Sequence, residues 1–145
     1  NRACPEGQRV LVGAVEHPSV REPALRLSRD KVEWLEVGSD GVSDLVAFGK
    51  RLESGEVFAV SIMAANNETG VLQPWQEIRD ICRAAGVVYH CDAVQWLGKL
   101  PADGLGGCDF ATGCAHKFGG PKGCGFLKIP GGERTGNVSS LAHNM

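Results

Sequence analysis

The chain has 145 residues, 43% of them hydrophobic and 22% charged, which is enough for one domain with a sizeable core and the balance of an ordinary soluble protein. A net charge of -2 and the lack of a basic tract argue against a dedicated nucleic-acid binder. The longest apolar runs, such as Val57 to Ala65, are too short to cross a bilayer. The charged start lacks the apolar core of a signal peptide, so a cytosolic or organellar location with no membrane contact is expected.

Arg9 to Val15 is a β-branched run after a Pro-Glu-Gly turn signal and reads as a buried strand ending at Glu16-His17. Pro18 suits the first turn of a helix over roughly Val20 to Ser28, with Val20, Ala24 and Leu27 on one face. His17 then stands at a strand-to-helix junction, a common place for a ligand-facing residue in an open α/β sheet. Val32 to Val37 is a second strand. Ser43 can cap a helix that starts near Asp44, turns Leu45, Phe48 and Leu52 inward and ends near Gly55.

Val57 to Ala64 reads as a strand covered on both faces. The polar block Asn66 to Gly70 follows it directly, and either makes an Asx-type turn or presents donors to a ligand. Pro74 opens a helix through Ile78, Ile81, Cys82 and Ala85, stopped by Gly86. Val87 to Cys91 is the next strand, with Asp92 and Gln95 leaving its C-terminal end. That aspartate either caps a turn or holds a proton on an aromatic nitrogen. Asp103 to Gly107 is a loop, Cys108 to Thr112 a short strand, and Cys124 to Ile129 a last strand joined by a hairpin-like step. Residues 130–145 are rich in Gly, Ser and Asn and are expected to be loosely ordered. Both ends look like cuts through something larger. The fold class is therefore α/β, a mostly parallel sheet covered by helices, over residues 1–129.

The six cysteines form no Cys-x-x-Cys pair, which indicates neither a zinc knuckle nor a disulfide framework. Several lie in apolar runs, where free cysteine acts as a small hydrophobe.

The densest chemistry lies between Asp109 and Phe126. Lys117 ends an apolar run directly before glycines, with His116 beside it and Lys122 five residues on as candidate cations. Neighbouring cations or desolvation make a lysine a useful nucleophile by favouring the neutral amine. The glycines let backbone approach a ligand closely. A phosphate-binding P-loop is set aside because the Gly-Lys-Ser/Thr ending is missing. Strand ends thus carry His17, Asn67, Asp92 with Gln95, and Lys117, and in a doubly wound sheet these ends lie along one edge. An amine, an acid able to face a ring nitrogen, amide donors and an imidazole together fit pyridoxal 5'-phosphate (PLP).

Glu16-His17, Ala65-Asn66-Asn67-Glu68-Thr69-Gly70, His90-Cys91-Asp92-Ala93-Val94-Gln95, Gly98-Lys99-Leu100-Pro101 and His116-Lys117-x-x-Gly-Pro-Lys122-Gly occur in this order. From about Val10 to Ile129 the chain resembles the cysteine desulfurases of the fold-type I, class V aminotransferase group. The resemblance implies a partial PLP-binding large domain in which Lys117 carries the cofactor as a Schiff base. It implies Asp92 on the pyridine nitrogen, Gln95 and Asn67 on the ring hydroxyl, and His17 stacked on the ring and assisting proton transfer. His116 would contact the phosphate, and Asn66 would serve the turn.

The implied reaction converts L-cysteine to L-alanine and passes sulfur to an enzyme cysteine as persulfide, in a homodimer that serves a sulfur acceptor or scaffold protein, as in iron–sulfur cluster assembly. Two departures stand out. Cys114 replaces the family's usual serine, whose hydroxyl helps hold the phosphate, and a thiol is the weaker donor. The family's phosphate-binding Thr-Gly segment, persulfide cysteine and substrate-carboxylate arginine belong to regions outside the 145 residues, so the piece itself is not expected to complete the reaction. Two alternatives remain open at this level: selenocysteine lyase or another β-lyase of the same group, and a non-catalytic binding or assembly module.

Overall fold

The computed structural model describes residues 4–130, so the loosely ordered stretch expected over 130–145 lies, beyond Pro130, outside the described residues. Six strands form one sheet: β1 (Arg9–Gly13), β2 (Val32–Leu35), β3 (Val57–Ser61), β4 (Val88–Asp92), β5 (Phe110–Cys114) and β6 (Gly125–Lys128). Their spatial order is β2-β1-β3-β4-β5-β6. All neighbours are parallel except β5 and β6, which pair antiparallel with Thr112 opposite Leu127. The expected α/β class and the final hairpin-like step are both present.

Three helices connect the parallel strands: α1 (Pro18–Leu25), α2 (Leu45–Glu53) and α3 (Trp75–Ala85). The step from β1 to β2 runs one way along the sheet, and the steps through β3, β4 and β5 run the other. Right-handed connections then put α1 on one face and α2 and α3 on the other. The direction reverses between β1 and β3, and this opens a crevice beyond their C-terminal ends.

The core lies between the sheet and the α2–α3 layer. Phe48 and Leu52 of α2 and Trp75, Ile78 and Cys82 of α3 pack on Leu11, Val60, Tyr89 and Cys91. Each large side chain taken out of water there contributes about 1.5–3 kcal/mol. Since successive strand residues face opposite ways, Tyr89 and Cys91 in this core turn His90 and Asp92 to the other face. Cys82, Cys91 and Cys108 are buried as free thiols, as their apolar surroundings predict.

Several boundaries differ from expectation; β1, β2 and β3 end earlier than expected, at Gly13, Leu35 and Ser61, and β5 runs from Phe110 to Cys114. α1 begins at Pro18 and ends at Leu25, because the His17 side chain caps its start and the Arg26 N–H closes the last turn on Pro23 and Ala24 carbonyls. Asp44, not Ser43, caps α2: its Oδ1 accepts from Val46 N (2.8 Å) and Ala47 N (3.0 Å). Ser43 is buried instead, with its N–H and its hydroxyl each 3.0 Å from Gln73 Oε1. Residues 105–107 form a short 3₁₀ turn where a loop was expected. Gly86 ends α3 at φ 69°, a left-handed conformation that costs glycine least.

Candidate functional site

A cleft of about 370 Å³ opens at the C-terminal ends of β1, β3, β4 and β5, spanning the reversal point. Its lining contains all seven residues singled out in the sequence: His17, Asn67, Asp92, Gln95, Cys114, His116 and Lys117. Lys122 is not part of that lining.

Each side chain arrives by local chemistry. His17 is the N-cap of α1: its Nδ1 accepts the Ser19 N–H at 3.2 Å and lies 2.8 Å from Ser19 Oγ. A ring nitrogen that accepts a backbone N–H bears no proton, which leaves Nε2 as the protonated position of the neutral ring.

After β3 the chain stays bonded to β4, with Ile62 N donating to His90 O (3.2 Å) and Ala64 N to Asp92 O (2.8 Å). This carries Met63 and Ala65 into the cleft. Asn66 then folds the polar block, its Oδ1 accepting from Glu68 N and Thr69 N at 2.9 Å and from Thr69 Oγ1 at 3.1 Å. The Asx-type turn is therefore the work of Asn66, and the neighbouring Asn67 is left for the cleft. Its amide makes no hydrogen bond among the described residues.

Asp92 is buried at the end of β4. Its Oδ1 accepts the Val94 N–H at 3.0 Å, so it caps the following turn, while its second oxygen is unengaged among the described residues. Both readings of this aspartate are thereby compatible. The turn that follows is anchored by Trp96, which stands edge-on to Trp75 at 5.6 Å and donates Nε1–H to Pro101 O at 2.7 Å. Gln95 Oε1 accepts from Lys99 Nζ at 2.5 Å, which leaves its NH₂ as the half free to donate.

Lys117 lies in a 3₁₀ turn (Ala115–Phe118) beyond β5, closed by Gly119 at φ 87°. Its exposed amine has neither a hydrogen bond nor an ion pair among the described residues. The turn rests on the one after β4: a Cβ at Gly98 would overlap that of Phe118, so only glycine admits this contact. Cys114 Sγ lies 3.0 Å from His116 Nδ1 and 3.6 Å from Cys124 O.

The full length of residues 1–133 matches the family model described as aminotransferase class-V. The chain belongs to this family. It is 41% identical over 133 residues to a cysteine desulfurase of Klebsiella pneumoniae, covering 90% of this chain and 33% of that protein. It is 43% identical over 127 residues to the cysteine desulfurase IscS of Anaeromyxobacter sp., covering 86% of this chain and 31% of the relative. The crystal structure of DndA from Streptomyces lividans superposes with a TM-score of 0.78 at 35% identity, over 85% of this chain and 35% of that one. The class V chain thus spans about a third of the length of the curated relatives it matches.

Sequence reasoning did not single out Ser19, Met63, Ala65 or Val94, which also line the cleft. Ser19 was legible as a hydroxyl two residues after a capping histidine. Ala65 and Val94 lie within two residues of assigned positions, Met63 within four, and all three were hidden by their apolar character. Glu16 is the larger omission. It is buried, and burial pushes its carboxyl up to about 8, with the charge of Asp92 adding to the rise and the Met63 N–H opposing it.

Proposed function

We propose that this chain supplies the cofactor cradle of a PLP-dependent cysteine desulfurase. One observation carries the reading: an unpartnered lysine amine, a half-engaged buried carboxylate, two amides and two imidazoles, from four separate strand ends, line one cleft. The set fits the cofactor in kind. PLP offers an aldehyde, a basic ring nitrogen, a ring hydroxyl and a phosphate, and bound here it would supply an electron sink.

Lys117 is the amine for the aldehyde, and among the described residues no partner competes for its nitrogen. Asp92, oriented by the Val94 N–H, presents its free oxygen to hold a proton on the ring nitrogen. Gln95 donates from its NH₂, since Lys99 occupies its oxygen, and Asn67 donates from the neighbouring strand end. His17, fixed in its tautomer by Ser19, stacks on the ring and moves protons at Nε2. His116 and Cys114 form the phosphate end. The described residues make up part of a PLP-binding large domain, the sulfur-accepting cysteine lies outside the 145 residues, and the whole protein works as a homodimer that hands sulfur to an acceptor or scaffold protein.

The test is product analysis of the full-length protein given PLP, L-cysteine and a thiol reductant. Equal amounts of alanine and sulfide are expected. Pyruvate and ammonia, or PLP-bound protein that leaves cysteine untouched, would contradict the reading.

A further inference from the structure

Glu16 adjoins the crevice from the turn between β1 and α1, directly before His17, and none of the roles above uses it. It is only 4% exposed. Its Oε1 accepts the Met63 N–H, which ties this turn to the chain leaving β3 across the reversal point. Its Oε2 is buried and has no hydrogen-bond partner among the described residues. Gly13 makes the space for it, since a Cβ there would stand 3.1 Å from Oε1. Asp92, at the end of β4, is near enough for its negative charge to act on Glu16, and no other ionisable side chain among the described residues contributes to that effect.

An ionised carboxylate in this place would be desolvated, short of one hydrogen bond and repelled by a second carboxylate. The neutral acid suffers none of the charge costs. We propose that Glu16 is a positioning residue that carries the single proton of a Glu16–Asp92 pair, tethering β3 through Met63 and leaving Asp92 as the anion of the crevice. The direction of the Glu16 shift agrees with this arrangement. Resting on the cofactor assignment above, one further consequence follows: a cationic ring docked on Asp92 offsets its charge and makes Glu16 easier to ionise.

The experiment is a pH titration of glutamate side-chain carboxyls by ¹³C NMR, with Glu16 assigned by the resonance lost in Glu16→Gln. The native midpoint is expected near pH 8. In Asp92→Asn it should fall, because the like charge is gone. A Glu16 that titrates with the exposed glutamates below about pH 5, or a midpoint indifferent to Asp92→Asn in a variant with a folded amide spectrum, overturns the proposal.

Should Asp92→Asn not fold, stability against pH decides. A Glu16→Gln curve flatter than the native one between pH 5 and 8 supports a proton held on Glu16, and parallel curves overturn the proposal. Adding PLP to the native protein separates the two readings. A fall in midpoint on Asp92→Asn with none on PLP binding upholds the pair and contradicts the placing of Asp92 on the ring nitrogen.

Discussion

The His90 imidazole bridges two neighbouring strands to its own, with Nδ1 2.8 Å from Ser61 Oγ on β3 and Nε2 3.2 Å from Thr112 Oγ1 on β5. Asp92 projects from the same face two residues on, so this chain of polar groups forms the floor next to the proposed ring-nitrogen partner. Burial pushes the His90 pKa down, and the charge of Asp92 offsets part of that effect.

The pH consequence has a definite sign. With its folded pKa depressed, His90 binds fewer protons folded than unfolded near the ordinary histidine value, so stability is lost as pH falls below about 6.5. In His90→Asn this loss should disappear. Urea denaturation at pH 7.5 and 5.5 measures it, and the stability of the variant relative to the native protein should rise from pH 7.5 to 5.5.

Glu16 acts in the opposite sense. Its folded pKa of about 8 lies above the ordinary 4.5, so the folded chain holds a proton that the unfolded chain has released. Stability contributed by that proton is complete below pH 4.5 and is lost as pH rises through 8, by at most about 1.4 kcal/mol per unit. Glu16→Gln keeps an oxygen for the Met63 N–H and carries no charge. It should match the native protein at pH 5 and exceed it at pH 8 in the same denaturation experiment.

Gln73 is a buried amide serving three groups: it accepts from the Ser43 N–H and hydroxyl and donates to Gly41 O at 2.7 Å. Gln73→Ala strands a buried N–H and should cost about 1–3 kcal/mol. Thermal or urea unfolding reads this directly. A Ser43→Ala change, which removes only the hydroxyl, should cost less.

Cys114 pairs with His116 at the position where the family resemblance implies a serine. Restoring the hydroxyl by Cys114→Ser should strengthen the hold on the phosphate by about 1 kcal/mol, roughly fivefold in Kd for PLP. Fluorescence titration compares the two proteins, and equal affinities would remove Cys114 from the phosphate end.

Much of this architecture was legible in the residues. α3 could be read almost to its ends because Pro74 and Gly86 bracket an apolar face at helical spacing, and Val57 to Ala64 reads as a buried strand because Ser61 is its one polar residue. Less was legible where long-range partners override local preference. Ser43 looks like a cap until Gln73, thirty residues on, takes its hydrogen bonds. β3 itself ends at Ser61, although Ile62 and Ala64 still donate to the His90 and Asp92 carbonyls, and Met63 and Ala65 there line the cleft. For the site, motif order placed the seven side chains on strand ends, but it carried no sign that Glu16 would be buried against the Met63 N–H. That follows from β1 and β3 being neighbours in the sheet, which only the topology reveals.

The most direct measurement is the visible absorption spectrum of the protein after adding PLP, followed by borohydride reduction and peptide mass mapping. A long-wavelength band that borohydride abolishes, with the reduced adduct on Lys117 and absent in Lys117→Ala, is the expected result. A folded protein that develops no band, or adducts scattered over exposed lysines such as Lys99 and Lys122, would contradict the claim that this cleft is a PLP site.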